Sequence, residues 1–179
     1  PKGDTDVQIM ANTLASKLKI QPDEVLICST GVIGVPMDLS NFDNQVDTLA
    51  HNLTAGDSIQ AAEAIMTTDT KIKQAAIAFE IEGQLVHLAA IAKGSGMIHP
   101  NMGTMLSYLV TDLDLGQETL QQLLKASVNQ SFNKISVDGD TSPNDTVLLA
   151  STNKVSVKPT KQHILIFQEK LTEICQMMA

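Results

Sequence analysis

Residues 71–92 read KIKQAAIAFEIEGQLVHLAAIA, and their reading decides the fold. Residues 71–81 and 84–92 alternate or run apolar, as strands do when successive side chains point to opposite faces of a sheet. Glu82-Gly83 between them predicts a hairpin. Working outward, a Gly/Pro-rich stretch follows, and then an apolar run from Thr104 to Thr111 reads as a third strand. Upstream, Asp57 opens an alanine-rich helix over 57–66, behind another helix over 42–53. Glu24 to Ser29 reads as a buried strand running into a Gly-rich turn. Asp4 caps a first helix, with Val7, Met10, Leu14 and Leu18 on one stripe. Downstream, 117–131 predicts a helix carrying Leu120, Leu123, Leu124 and Val128, and 133–137 another strand. Residues 144–151 read equally as a strand or the start of a helix. The clearest helix is 160–178, where Ile164, Phe167, Leu171, Ile174, Cys175 and Met178 follow i, i+3, i+4 spacing. Helices mixed with a hairpin predict an α+β fold, layered around an antiparallel or mixed sheet. No internal repeat, low-complexity tract or long linker interrupts the chain.

The chain has 179 residues, 43% of them hydrophobic but only 3% aromatic, so its core rests on Ile, Leu, Val, Met and Ala. That length fits one domain or part of a larger one. A net charge of −8 argues against nucleic-acid or membrane-surface partners, because phosphate binding needs clustered cations. All 12 basic residues are scattered lysines. The bidentate arginine grip that many acid-binding sites use is therefore missing here. Cys28 and Cys175 read as free buried thiols of a reducing compartment. No signal peptide or long apolar span is visible.

Residues 93–106, KGSGMIHPNMGTML, carry the most chemistry. Thr104 follows Gly103 directly, behind a pliant Gly/Pro approach. A hydroxyl placed there can attack the carbonyl of the preceding peptide bond, and a small residue on the acyl side leaves it room. If the Gly103–Thr104 bond breaks, Thr104 becomes an N-terminus holding both a nucleophile and a base, since the freed amine can take the hydroxyl proton. An α-amine titrates near roughly 7.7–8.0, close to where general bases work best. Gly-Thr before an apolar run is also an ordinary loop-to-strand entry. In Cys28-Ser-Thr30-Gly31-Val-Ile-Gly34, the glycines let backbone approach a ligand, and the Thr30 hydroxyl and Gly31 N–H can both donate to one developing negative charge. Its plain alternative is a strand-end turn.

Rival constellations fail on detail. Asp138-Gly-Asp140-Thr-Ser-Pro143-Asn-Asp145 has proline where a calcium loop needs glycine, and Leu149 where it needs glutamate. Gly94-Ser-Gly96 begins a dinucleotide fingerprint, but His99 stands in place of the third glycine. His51, His87, His99 and His163 lack metal-ligand spacing, so no metal or resident cofactor is expected.

The segment AKGSGMIHPNMGTML resembles the processing site of the ornithine acetyltransferase family, the arginine-biosynthesis enzymes also called glutamate N-acetyltransferases. The family usually has alanine before the threonine, and here that residue is Gly103. CSTGVIGVPM (28–37) resembles its oxyanion-hole loop. AIMTTDT (64–70) resembles its substrate-contact loop, with Thr67 at the matching position. Lys93 matches a substrate-binding lysine, and SVDGDTSPNDT (136–146) resembles a polar signature on the second chain. Four motifs in the right order, from about residue 10 to the C-terminus, are far more specific than any one.

The resemblance implies a layered αββα fold of the ornithine acetyltransferase and DmpA type. It implies self-cleavage at Gly103–Thr104 into the C-terminal part of an α chain (1–103) and the N-terminal part of a β chain (104–179), together one domain or part of one. The implied reaction is ping-pong acetyl transfer from N-acetylornithine to glutamate. Thr104 is the nucleophile, Thr30 and Gly31 form the oxyanion hole, and Thr67, Lys93 and Thr104 contact the substrate. No cofactor is implied, and acetyl-CoA stays open as a co-substrate. An α2β2 assembly in the cytoplasm is expected. The family's later acidic, asparagine and threonine contacts fall beyond Ala179, so this chain reads as the central piece of a longer enzyme. Two alternatives stand beside it: an N-terminal-nucleophile aminopeptidase of related fold, which typically uses serine, and a non-catalytic fragment.

Overall fold

The computed structural model describes residues 2–53, 58–98 and 105–179. They fall into two compact units, residues 1–57 and 58–179.

The first unit contains helices α1 (Lys2–Leu18) and α2 (Ser40–Asn52). Because α1 begins at Lys2, Asp4 lies in its first turn instead of capping it. The buried edge of α1 is Asp6, Ala11 and Ala15, whereas Val7, expected on the buried stripe, is 44% exposed. Lys17 pairs with Asp47 of α2 at 2.7 Å. The expected strand over 24–29 does not form. Pro22–Glu24 makes a 3-10 turn, closed by the Gln21 N–H donating to the Glu24 carboxylate at 2.7 Å, and irregular chain follows. A strand needs a ladder partner, and among the described residues this run has none, which leaves Leu26 67% exposed.

The second unit is a four-stranded sheet in the order β1 (Lys73–Ile81), β2 (Gln84–Lys93), β3 (Leu106–Asp114) and β4 (Thr146–Ser156). The hairpin expected at Glu82-Gly83 is present. Both residues take positive φ, 52° and 73°, as a two-residue turn between twisted strands requires. β2 and β3 are antiparallel, and β3 and β4 run parallel. Parallel neighbours need a crossover, supplied by α4 (Gln117–Gln130). The ambiguous segment near 144–151 is therefore strand. The short strand expected at 133–137 is not: Phe132–Lys134 forms a 3-10 turn that buries Phe132.

One face of the sheet carries Val86, Leu88, Ala90, Leu109 and Leu113, packed with Phe132 and with Phe167, Leu171, Ile174 and Met178 of α5 (Lys161–Met178). The Phe167 ring meets Phe79 of β1 with centroids 6.3 Å apart. Thr160 caps α5, its hydroxyl accepting from the His163 N–H at 3.2 Å. The molecule is α+β, as expected. A short helix, α3 (Ser58–Ala64), opens this unit. The sheet's other face presents Gln74, Ala76, Ala89, Ile91, Tyr108 and Val110 around a hollow of about 520 Å³.

Candidate functional site

The site is built where β2, β3 and β4 come together at one end. The register pairs Lys93 with Leu106 and Leu106 with Thr146. The last residue of β2 and the first of β3 thus lie side by side, and Met105 lies beside Asp145. The Met105 N–H donates to Asp145 Oδ1 at 2.7 Å, and the Thr146 N–H donates to the Met105 carbonyl at 3.0 Å. A matching arrangement holds the other flank. The Met97 and Ile98 N–H groups donate to the two oxygens of Asp138, the second at 3.0 Å, and the Val137 N–H donates to the Ile98 carbonyl at 2.8 Å. These amide bonds, led by that of Met97, hold the Asp138 carboxyl below the usual carboxylate range.

Lys93 ends β2 and is only 1% exposed, which is rare for an ammonium. Its Nζ reaches the Thr67 hydroxyl at 3.5 Å. Burial lowers its pKa, against the opposing pull of Asp69 and Asp145. Burial raises the pKa of Asp145, against the Met105 N–H and the Lys93 charge. Asp145 Oδ2 is buried and without a hydrogen-bond partner among the described residues. Asp69 stitches residues 67–69 to the end of β2, accepting from the Gly94 N–H at 2.7 Å and the Thr67 N–H at 3.3 Å. The Thr68 and Ser95 hydroxyls meet at 2.7 Å, and Lys73 Nζ donates to the Gly94 carbonyl at 2.7 Å. A hollow of about 410 Å³ lies alongside, lined by Asp69, Lys73, Gly94, Ser95, Ile135 and Ser136 among others.

Of the residues named from sequence, the structure brings Thr67 and Lys93 together across 26 positions of chain. Gly103, Thr104 and His99 lie outside the described residues, as does Asp57. Thr30 and Gly31 belong to the first unit, in irregular chain, with Thr30 half-buried and Gly31 exposed. A Cβ on Gly31 would meet nothing within 4 Å, while Gly34 takes φ +82°, which glycine adopts without strain. Cys28 is half-buried, and burial pushes the thiol of Cys175 up to about 12. His87 and His163 are engaged elsewhere, with Asp112 at 2.7 Å and with the Lys158 carbonyl at 3.2 Å. From sequence, Asp138 and Asp145 stand out only as ends of a polar turn that fails as a calcium loop, and Asp69 is not singled out. The signal for them was present in the motifs themselves, where each is an aspartate within a polar run.

The profile of the ArgJ family matches residues 1–179. The chain belongs to the ArgJ family. Among curated relatives, the arginine biosynthesis bifunctional protein ArgJ of Lactococcus lactis is 42% identical over 169 residues, which is 93% of this chain and 42% of that protein. The ArgJ of Thermotoga neapolitana is 41% identical over 181 residues, 99% of this chain and 45% of that one. The glutamate N-acetyltransferase of Methanocaldococcus jannaschii is 42% identical over 180 residues, 99% of this chain and 44% of that one. The chain thus spans less than half the length of these ArgJ relatives. Among the described residues, no helix is long and apolar enough to cross a membrane.

Proposed function

We propose that this chain carries the self-cleaving junction and nucleophile of a glutamate N-acetyltransferase of arginine biosynthesis. The observation that carries the reading is the meeting of Thr67 and Lys93 in a chain of the ArgJ family. Maturation begins when Thr104 Oγ attacks the Gly103 carbonyl carbon. The O–C bond forms, the C–N bond of the peptide breaks, and the hydroxyl proton passes to the departing nitrogen. Water then hydrolyses the resulting ester, which restores the hydroxyl and leaves a carboxylate on Gly103. The freed amine of Thr104 becomes the base of the second reaction.

In transfer, the Thr104 hydroxyl attacks the acetyl carbonyl of N-acetylornithine while its own amine takes the proton. The Thr30 hydroxyl and the Gly31 N–H hold the oxyanion. Ornithine leaves with the proton, and the acetyl group stays on Thr104 as an ester. The glutamate amine then attacks that ester, the acyl C–O bond to Thr104 breaks, the amine's proton passes to Thr104 Oγ, and N-acetylglutamate departs. Lys93 supplies the charge for a substrate carboxylate, and Thr67 orients it. The ammonium is already desolvated, so a carboxylate reaching it loses little to competition from water. No resident cofactor takes part. The cut chains remain associated, because β2 and β3 lie on opposite sides of residues 103 and 104 and pair over six register positions from Leu88 to Lys93. An assembly of paired first and second chains follows naturally.

Thr104→Ala in the full-length protein is expected to abolish both splitting and transfer. The check is acetyl transfer from N-acetylornithine to glutamate, run beside hydrolysis of peptide amides. A Thr104→Ala protein that still transfers acetyl overturns the assignment, and peptide-amide turnover without acetyl transfer favours the aminopeptidase reading.

A further inference from the structure

We infer that Asp138 and Asp145 are positioning residues for self-cleavage, a two-point clamp by which residues 137–146 fix both flanks of the scissile loop. The inference rests on the proposed function and deepens it. The two anchors repeat one pattern. At the upstream flank, Asp138 takes the N–H groups of Met97 and Ile98, and the neighbouring Val137 N–H returns a bond to the Ile98 carbonyl. At the downstream flank, Asp145 takes the Met105 N–H, and the neighbouring Thr146 N–H returns a bond to the Met105 carbonyl. Each anchor joins residues about 40 positions apart. Only residues 99–104 lie between Ile98 and Met105, and they include the junction.

Such an arrangement serves intramolecular attack. The hydroxyl of residue 104 must meet the carbonyl of residue 103, which free backbone does rarely. Fixing the residues on both sides of a six-residue segment removes many competing conformations, and correctly held groups react far faster than free ones. Ordinary ladder pairing reaches only the downstream anchor, through the β3–β4 register, and the upstream one stands outside any strand. Both acceptors are carboxylates, whose bonds to N–H groups are about twice as strong as neutral ones. The low pKa of Asp138 agrees with its being an ionised acceptor. Met105 follows Thr104 directly, so after the cut Asp145 stays one residue from the new N-terminus. Asp138 then becomes a contact between chains, holding the tail of the first against the second.

The test is the rate of splitting of newly made full-length protein, followed by intact mass, for Asp138→Asn and Asp145→Asn against Asp140→Asn. Asp140 lies in the same turn, is exposed, and among the described residues engages through its backbone N–H, which donates to Asp138 at 3.2 Å. Each clamp variant is expected to slow splitting about tenfold, and the alanine variants further, while Asp140→Asn splits at the normal rate. Amide hydrogen exchange in a Thr104→Ala background is expected to quicken at Met97 and Ile98 for Asp138→Asn, with Met105 unaffected. Should the alanine variants fail to fold, the isosteric asparagine variants decide. Folded variants that split at the wild-type rate overturn the clamp and leave the proposed function standing. A wild-type protein that never splits overturns both.

Discussion

Lys93 is a buried ammonium that meets the Thr67 hydroxyl and lies in the field of Asp69 and Asp145. The chain has no arginine, and the proposed function gives the substrate carboxylate to this ammonium. A hydrogen bond to a charged group contributes about 1.5–3 kcal/mol, or roughly tenfold to a hundredfold in affinity. Lys93→Met is therefore expected to raise KM for glutamate by about that factor, measured by steady-state kinetics of the mature enzyme. Unchanged KM contradicts the assignment. Asp138 gives a prediction in pH. Its folded pKa lies below the ordinary 3.8, so its carboxylate supports the contact fully above 3.8. That support is lost as pH falls through the lower, folded value. Exchange protection of the Met97 and Ile98 amides should fall in that acid window, and Asp138→Asn should flatten the dependence. Lys93 and Thr67 each sit in a distinctive motif, but their contact across 26 residues was not legible from sequence. The partners of Asp69, Asp138 and Asp145 were not either, since those bonds depend on the register of β3 against β4 and on loops meeting across 25 to 41 residues.

At the scale of elements, local pattern predicted what local physics controls. Glu82-Gly83 specifies its own turn, and α5 shows its buried stripe in sequence. In α5, Phe167, Leu171, Ile174 and Met178 are all buried against the sheet. Removing the Phe167 ring leaves a cavity against Phe79, and such truncations cost about 3–5 kcal/mol. Phe167→Ala should lower the unfolding free energy measured by denaturant titration by that amount, and a change below about 1 kcal/mol contradicts the packing described. Two expected strands failed for a shared reason. Glu24 to Ser29 and residues 133–137 are apolar enough to pair, but strand identity depends on a partner that composition does not reveal. In the second case the amides find other work: the Val137 N–H serves Ile98. The segment at 144–151 resolves the other way, because the crossover through α4 lays it beside β3.

For the whole molecule, the compact units divide at 57 and 58, far from the junction at 103 and 104. β2 precedes and β3 follows residues 103 and 104, so a cut there would leave both pieces paired through β2 and β3. In the proposed function, self-cleavage changes the chemistry of one residue without separating the strands on either side of it, and acetyl transfer depends on the new terminus. The most direct test is the intact mass of purified full-length wild-type protein, with N-terminal sequencing of each species. Two polypeptides, the second beginning at Thr104, are predicted for the wild type and one for Thr104→Ala. A single unbroken wild-type chain that transfers acetyl from N-acetylornithine to glutamate would contradict the account.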